Sequence, residues 1–338
     1  MRLENTIALI NGELLNSPFI NNFTNIILEP KAVRRGDLFI AFEEKAIDEA
    51  IANGAYGIIF DKPTKIRDSE IAWIQVKSVE NALIRLLRFE LLNKDITVYS
   101  CDEITLKLAM QIVSDATFIP LYGNIKTIFK NLIHIQEHHT LLFSPALTTA
   151  DIFTQTKELP KSLHNNIKII EHTLFETSFI YNDIFYDRQF ISPLFIPHLD
   201  ALLSLFTQLK INFRLKKFTS IDNFEAVFTN KNFEIKEFGT SDKVLIFEKS
   251  IPLVENEINF LNKNATWAKT IYIVPQEMQK NLSKEILTIE NLFFYHSKEE
   301  IKEILKRNIF HFAFVAGVDK SILDKPLIQQ TQLTLDFS

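Results

Sequence analysis

A short apolar run follows a basic, glycine-containing turn in the segment Val33-Arg34-Arg35-Gly36-Asp37-Leu38-Phe39-Ile40-Ala41. The part from Asp37 to Ala41 predicts a short buried strand, because an apolar run of this length bounded by turn residues is typical of one. The following elements predicted from the same patterns are a helix over Ala46–Asn53 and strands over Tyr56–Phe60 and Ala72–Val76. Together they indicate a small α/β unit in roughly the first 95 residues.

A helix over Val79–Leu92 completes this unit, with Ser78 as its N-cap. The side chains expected on its apolar side are Ala82, Leu83, Leu86, Leu87 and Phe89.

The last hundred residues alternate clearly between strand and helix patterns. The predicted strands are Val244–Phe247, Ile271–Val274, Leu292–Tyr295 and Phe310–Val315, and the predicted helices include Gln276–Ile286 and one opened by a capping box at Ser297. Such alternation predicts a parallel sheet with helices on its faces. The middle, from about residue 96 to 240, is less regular, with hairpin-like strands between Ile169 and Phe190.

Glycine is scarce, with 7 residues in 338, where average usage would give about 24. This count excludes collagen-like and Gly/Ser low-complexity chains, and any architecture that needs several glycine-rich phosphate loops. Phe occurs 30 times and hydrophobic residues make up 46% of the chain, so the sequence predicts large buried cores rather than disorder.

The net charge of -5 argues against a broad nucleic-acid surface, which needs a clustered basic face. The single cysteine, Cys101, excludes an intrachain disulfide and zinc sites built on paired cysteines. We expect a cytoplasmic protein without a membrane span, since no signal peptide or long apolar stretch is present.

Four pieces of the first 95 residues resemble the amino-terminal domain of Mur ligases, in particular those that add D-Ala-D-Ala to UDP-N-acetylmuramoyl-tripeptide. They are Val33–Ala41, Ala50–Ala55, Gly57–Ile59 and Ile74–Val76. The resemblance implies a three-part α/β architecture. Its three parts would be a small amino-terminal domain (1–95), a shortened central ATPase-like domain (96–240) and a Rossmann-like carboxyl-terminal domain (241–330). A tail (331–338) would follow them.

In the family, the amino-terminal domain holds the UDP end of the substrate through an Asp-Ser-Arg segment just before the strand. The matching residues here are Glu29-Pro30-Lys31, where Pro30 has no hydroxyl to donate. The substrate-binding candidates that the resemblance implies are Lys31, Gly36 and Asp37. The lost hydroxyl argues against UDP binding in the family's manner.

The family's ATP loop, Thr-Gly-(Ser/Thr)-Asn-Gly-Lys-Thr, corresponds here to Tyr99-Ser100-Cys101-Asp102-Glu103-Ile104-Thr105. Both glycines are replaced, the lysine position is Ile104, and only Thr105 matches. Glu103 would place a negative charge beside phosphate, where the family's loop offers backbone N–H groups and a lysine.

A second candidate loop is Leu121–Thr127, which retains Gly123, Lys126 and Thr127. If the chain is a ligase, Lys126 would neutralise the charge of the phosphates and Thr127 would hold magnesium. Gly123 would let the backbone approach the phosphates closely. The alternative is an ordinary turn followed by a helix start.

The carboxyl-terminal domain also departs from the family. An Asp-rich strand end running into Asn-Pro becomes Ile246–Pro252, with only Pro252 kept, and a Lys-Gly-Ser element becomes Ala316-Gly317-Val318. The histidines have no metal-ligand spacing, and adjacent His138 and His139 would point apart, so no metal site is predicted.

The carboxyl terminus carries the run Gln332-Leu333-Thr334-Leu335-Asp336-Phe337. It resembles the short peptide by which many bacterial replication proteins dock on the DNA sliding clamp, with Gln332, Leu333, Leu335 and Phe337 as anchors. The alternative is an edge strand whose alternate apolar residues pack on the preceding domain.

Three functions follow as hypotheses. The first is a Mur-ligase-like protein without ATP-driven catalysis that binds a cell-wall precursor or a cell-wall synthesis enzyme, with no cofactor. The second is a divergent ligase that uses ATP and magnesium. The third is an interaction protein recruited to the sliding clamp by its tail. No catalytic residue is identifiable from the sequence.

Overall fold

The computed structural model describes residues 1–92, 94–148, 152–153, 155–160, 166–215, 217–237 and 240–323. The chain divides into two compact units, one formed by residues 1–160 and 205–213 and the other by residues 161–204 and 214–338. Both units combine parallel-rich sheets with helices, which confirms the α/β prediction. The boundaries at 95, 240 and 330 stay a prediction.

The first unit begins with a five-stranded sheet. Its strands are β1 (Glu13–Leu14), β2 (Ile26–Ile27), β3 (Leu38–Ile40), β4 (Gly57–Phe60) and β5 (Ala72–Gln75), and its helices are α1 (Leu3–Ile10), α2 (Ile47–Ala52) and α3 (Val79–Leu91). The strand order is β1-β5-β4-β3-β2, and only β1 runs antiparallel to its neighbour. The strands predicted around Leu38, Ile58 and Ile74 are therefore confirmed.

Both faces of this sheet are covered, as its uninterrupted apolar strands require. Leu38 and Ile40 belong to one core with α3, whereas Phe39 between them belongs to the opposite core with α2. Helix α3 starts at its predicted cap, since the Ser78 hydroxyl accepts a hydrogen bond from the Asn81 N–H.

The first unit continues with a second sheet. It contains β6 (Thr97–Ser100), β7 (Phe118–Gly123), β8 (Thr140–Thr148) and β9 (Lys157–Glu158), with helices α4 (Glu103–Ile112) and α5 (Ile125–Leu132). All its pairings are parallel, in the order β7-β8-β6-β9. Helix α5 contacts α3, so one continuous core joins the two sheets of this unit.

The second unit contains the predicted hairpins, which form an antiparallel three-stranded sheet. Its strands are β10 (Lys168–His172), β11 (Thr177–Tyr181) and β12 (Ile184–Gln189). Helix α6 (Ile196–Leu209) follows, and its residues from Leu205 onward belong to the first unit.

A five-stranded sheet forms the rest of the second unit. Its elements are β13 (Glu225–Thr229), β14 (Lys243–Glu248), α7 (Val254–Asn264), β15 (Thr270–Pro275), α8 (Lys284–Leu287), β16 (Leu292–Tyr295), α9 (Lys298–Arg307) and β17 (Phe312–Ala316). The order is β13-β14-β17-β15-β16, with β13 antiparallel and the other four strands parallel. The predicted Rossmann-like pattern is confirmed.

One predicted helix is divided in two. Instead of a single helix over Gln276–Ile286, a 3-10 helix covers Gln276–Lys280 and α8 begins at Lys284. Ser283 between them has an extended backbone at the N-cap of α8. An extended residue cannot continue a helix, and serine has a lower helix propensity than alanine or leucine, so the break falls there.

In the part of the chain that the structure describes, no helix combines the length and apolar character needed to cross a bilayer.

Candidate functional site

Strand β6 passes into helix α4 through only two residues, Cys101 and Asp102. The Asp102 carboxylate accepts a hydrogen bond from the backbone N–H of Thr105 at 2.9 Å and another from the Thr105 hydroxyl at 2.7 Å. Thr105 is buried, with 1% of its surface exposed. At this β6–α4 junction the carboxylate therefore takes the place at a helix start where anions otherwise bind backbone amides.

The neighbouring side chains at the β6–α4 junction add a second acid and an apolar group. Glu103 is nearly buried, and its carboxylate lies 3.5 Å from the ammonium of Lys107. Ile104, at the position of the family's lysine, is buried in the core. A phosphate at this junction would meet acidic groups without a cation from the loop itself, so repulsion would replace attraction.

Cys101 lies at the end of β6 with its backbone and side chain both tied to Phe143. Its N–H donates to the Phe143 carbonyl at 2.9 Å, and its thiol lies 3.5 Å from the same oxygen. Burial raises the pKa of the Cys101 thiol far above its ordinary value, with the charge of Asp102 adding to the shift. The thiolate needed for nucleophilic chemistry is therefore disfavoured.

The β7–α5 junction contains the second candidate loop. Gly123 has a φ of +95°, a backbone conformation that favours glycine. Asn124 caps α5, because its side-chain oxygen accepts hydrogen bonds from the N–H of Thr127 at 3.1 Å and from the Thr127 hydroxyl at 3.2 Å. The arrangement is the same as at the β6–α4 junction, because a side-chain oxygen of the chain itself accepts the hydrogen bond of a first-turn backbone N–H.

Lys126 extends from the β7–α5 junction to the end of β3. Its ammonium lies 3.8 Å from the centroid of the Phe42 ring, a cation–π contact. The next lysine on the helix, Lys130, lies 2.6 Å from Glu29. The hydrogen bond and charge of Lys130 lower the pKa of Glu29, and Lys126 makes a smaller contribution in the same direction.

The structure separates the four nucleotide-binding candidates. Gly123, Lys126 and Thr127 share the β7–α5 junction, whereas Thr105 lies at the β6–α4 junction. Their predicted roles at a nucleotide stay predictions.

The substrate-binding candidates surround the turn before β3. Asp37 is buried and accepts hydrogen bonds from the Asn25 side chain at 2.9 Å and from the backbone N–H of Arg34 at 2.8 Å. Gly36 has a φ of +99°, which explains the glycine in this turn. Lys31 is exposed in the preceding 3-10 helix.

A cavity of about 370 Å³ lies beside Asp37, and we call it the amino-terminal cavity. The polar residues that line it are Thr24, Asn25, Arg34, Asp37, Glu90 and His134. Apolar side chains, including both residues of β2, supply the rest of its wall. Half of its lining residues are polar, so the cavity offers hydrogen-bonding and charged groups to a polar small molecule.

Of the three predicted substrate-binding residues, Asp37 lines this cavity, whereas Lys31 and Gly36 do not. The other polar lining residues were not predicted. Glu90 lies near the end of α3 and His134 follows α5, so they are 44 positions apart in the sequence. No spacing signal joins such distant residues. Arg34, by contrast, stands in the segment that predicts β3, three residues before Asp37, and its basic charge was the available signal.

Within the described ranges, no group of three or more His, Cys, Asp or Glu side chains has the arrangement of a metal site. His138 lies 3.0 Å from the carboxylate of Asp95 on the surface. The tail residues Gln332, Leu333, Leu335 and Phe337 lie outside the described residues.

Among the comparisons with known proteins, only the one with solved structures finds similar proteins. No family model matches the sequence, and no curated protein matches it. The structure of MurF from Acinetobacter baumannii matches with a TM-score of 0.55 and 10% sequence identity, over 96% of this chain and 98% of that chain. The chain has the Mur ligase fold.

Two further structures support the assignment of the Mur ligase fold. One is MurF ligase from Thermotoga maritima in complex with ADP, with a TM-score of 0.50, 14% identity and coverage of 90% of this chain and 96% of that chain. The other is UDP-N-acetylmuramoylalanyl-D-glutamyl-2,6-diaminopimelate–D-alanyl-D-alanyl ligase from Acinetobacter baumannii, with a TM-score of 0.50 and 10% identity, over 96% of this chain and 97% of that chain. Identity this low shows the fold and not the activity.

Proposed function

We propose that this chain binds a peptidoglycan precursor, or an enzyme of precursor synthesis, in the cytoplasm without ATP-driven ligation. The Mur ligase fold supports the link to precursor synthesis. The observation that carries the absence of ligation is the Asp102 carboxylate at the start of α4. It occupies the amide that a phosphate would need, and it repels phosphate.

The amino-terminal cavity is the proposed precursor site. Its volume of about 370 Å³ is sufficient for part of a nucleotide-linked sugar rather than for the whole molecule. Arg34 supplies a cation, Asn25 and Thr24 supply hydrogen-bonding groups, and Asp37 and Glu90 add two carboxylates. This mixed lining suits the sugar or peptide part of a precursor better than its diphosphate.

Isothermal titration of the full chain with UDP-N-acetylmuramoyl-tripeptide, without ATP, tests this proposal. We expect saturable binding that Arg34→Gln weakens about tenfold, the effect of losing one charge-assisted hydrogen bond. Arg35→Gln is the matched control, because the Arg35 guanidinium donates to the Tyr56 hydroxyl and Arg35 does not line the cavity. Absence of binding, or equal losses in both variants, would contradict the proposed site.

A divergent ligase is the second candidate function, favoured by the retention of Gly123, Lys126 and Thr127 at one helix start. It requires Mg-ATP to bind at the β7–α5 junction. Saturable Mg-ATP binding that is lost in Lys126→Ala would favour this ligase and oppose the binding protein.

Recruitment to the sliding clamp is a third candidate, favoured only by the sequence from Gln332 to Phe337. Deletion of residues 332–338, followed by a pull-down with purified clamp, tests it. If the full chain does not retain the clamp, this candidate fails.

A further inference from the structure

The three-stranded sheet of the second unit has an open edge. Strand β10 (Lys168–His172) comes first in the order β10-β11-β12, and among the described residues it pairs with β11 alone. All five of its residues are exposed, and none of them is proline. The side of β10 away from β11 therefore presents backbone N–H and C=O groups with which another strand can pair.

The middle of this strand is apolar. Ile169 is 40% exposed and Ile170 is 48% exposed, and the charged residues Lys168 and Glu171 flank them. Covering the two isoleucines removes apolar surface from water, which favours association. An apolar centre between charged ends is also the arrangement of a surface that becomes buried in an interface.

A bulge in β10 places its two charged residues on the same face of the sheet. The register with β11 shifts between Ile169 and Glu171, so that Lys168 lies opposite Ile180 and Glu171 lies opposite Ser178. Ile180 and Ser178 are two positions apart in β11 and therefore share a face. In a regular strand, Lys168 and Glu171 would lie on opposite faces, because they are three positions apart.

The strand is consequently complementary to itself. In an antiparallel pair of two β10 strands, a twofold axis between Ile169 and Ile170 puts Lys168 of each copy opposite Glu171 of the other. Residues that lie directly opposite in such a pair share a face, and the bulge satisfies this condition for both charges. Two ion pairs then enclose the four isoleucines at the centre.

Both charged side chains are available for these contacts. In the part of the chain that the structure describes, the Lys168 ammonium has no ion-pair partner. The Glu171 carboxylate accepts a hydrogen bond from the Ser178 hydroxyl over 3.3 Å, which holds the carboxylate without neutralising it. Asp187 on β12 lies 3.3 Å from the same hydroxyl, so a second carboxylate strengthens the negative end.

We propose that two copies of this chain associate through their β10 strands and join their three-stranded sheets into one antiparallel sheet of six strands. Backbone hydrogen bonds and the buried isoleucines supply the attraction, and the pairs of Lys168 with Glu171 select a second copy over other strands. The contact of one short strand is small, so the dimer is reversible. The proposal is independent of the precursor site, and its failure would leave the proposed function untouched.

Sedimentation velocity of the full chain over a series of concentrations tests the proposal. We expect the measured mass to rise from 39.2 kDa toward twice that value. Hydrogen exchange at the lowest and highest concentrations locates the contact, because the outward amides of β10 should be protected only in the dimer. A chain that stays monomeric up to about 1 mM, or a dimer in which β10 gains no protection, would overturn the proposal.

Charge exchange on β10 tests the selection of a second copy. Lys168→Glu leaves two acids on the strand and Glu171→Lys leaves two bases, so each variant alone should dimerise about tenfold more weakly. An equimolar mixture of the two variants should form a mixed dimer, because the acids of one strand then meet the bases of the other. Lys284→Glu is the matched control, since it makes the same change of charge at an exposed position on α8.

Three results of this exchange would overturn the proposal. Single variants that dimerise as strongly as the original chain would place the contact elsewhere. A mixture that does not associate would show that the two charges do not meet. An equal weakening in Lys284→Glu would assign the effect to net charge rather than to β10.

Discussion

Asp102 stands between two positions, Ser100 and Glu103, where the Mur ligase loop has glycines. Without those glycines the chain passes directly from strand to helix, and the helix start is satisfied by the chain's own carboxylate. A single acidic cap of this kind stabilises a helix by about 1 kcal/mol. The same residue therefore supports the scaffold and opposes phosphate binding.

Replacing Asp102 by alanine should loosen the start of α4. We expect hydrogen exchange of the first-turn amides of α4 to accelerate roughly fivefold, the equivalent of about 1 kcal/mol. Asp102→Asn keeps an acceptor and should change exchange by less than about twofold. Unchanged exchange in the alanine variant would show that the cap does not hold the helix.

Glu248, at the end of β14, is a buried acid that none of the proposed functions uses. Its carboxylate accepts hydrogen bonds from the Phe224 N–H at 2.9 Å and the Ser250 N–H at 2.6 Å. A side-chain hydrogen bond also joins it to Glu257. Burial nevertheless outweighs these bonds and raises the pKa of Glu248 above 4.5. The neutral form is therefore favoured in the folded state.

The contribution of Glu248 to folding stability should fall as the pH rises from the unfolded-state pKa of this carboxyl to its higher folded-state pKa. A raised folded-state pKa means that the stabilising contribution is full below the unfolded value of 4.5 and is lost as pH rises through the folded value. We expect the urea midpoint of the second unit to decline over that window. Glu248→Gln, which cannot ionise, should flatten the decline even if it lowers the midpoint. An equal slope in the variant would contradict the assignment.

At the scale of single elements, helix α3 shows how far an apolar pattern predicts burial. Leu86 is fully buried, whereas Phe89, expected on the same apolar side, is 42% exposed. Positions three apart on a helix differ by about 60° in direction, so a residue at the margin of the apolar stripe can face solvent.

The two side chains of α3 should respond differently to truncation. Leu86→Ala should cost about 2–5 kcal/mol, because it leaves a cavity in the core of the first unit. Phe89→Ala should cost less than about 1 kcal/mol, since much of its ring is already in water. Thermal denaturation of the two variants measures the difference, and similar losses would contradict the burial assignment.

The sequence predicted the longer strands and capped helices well, because apolar runs and caps act locally. The strands around Leu38 and Ile273 and the caps at Ser78 and Ser297 are examples. It did not predict β1, β2 or β13. The first two have only two residues each, too few for any period, and β13 is an antiparallel edge that only its pairing with β14 defines.

At the scale of the whole molecule, the candidate sites were the least predictable feature. The amino-terminal cavity is lined by residues between Met1 and His134, and a cavity at the carboxyl ends of the second unit's parallel strands is lined by residues between Lys249 and Gly317. Each set meets only because of strand order and helix placement, which no local pattern reveals. The departure of Tyr99–Thr105 from the family's ATP loop, by contrast, is visible in the sequence, because glycine and lysine have fixed chemical roles within seven consecutive residues.

The two units thus combine a Mur ligase fold with junctions whose helix starts are already occupied by Asp102 and Asn124. Within the described residues, each unit has a cavity large enough for a small ligand. The central claim is that this fold here functions without ATP.

Isothermal titration of the full chain with Mg-ATP tests that claim most directly. We expect no saturable heat, since the Asp102 carboxylate holds the helix start that phosphate would need. Saturable Mg-ATP binding that disappears in Lys126→Ala would contradict the account and would establish the β7–α5 junction as a nucleotide site.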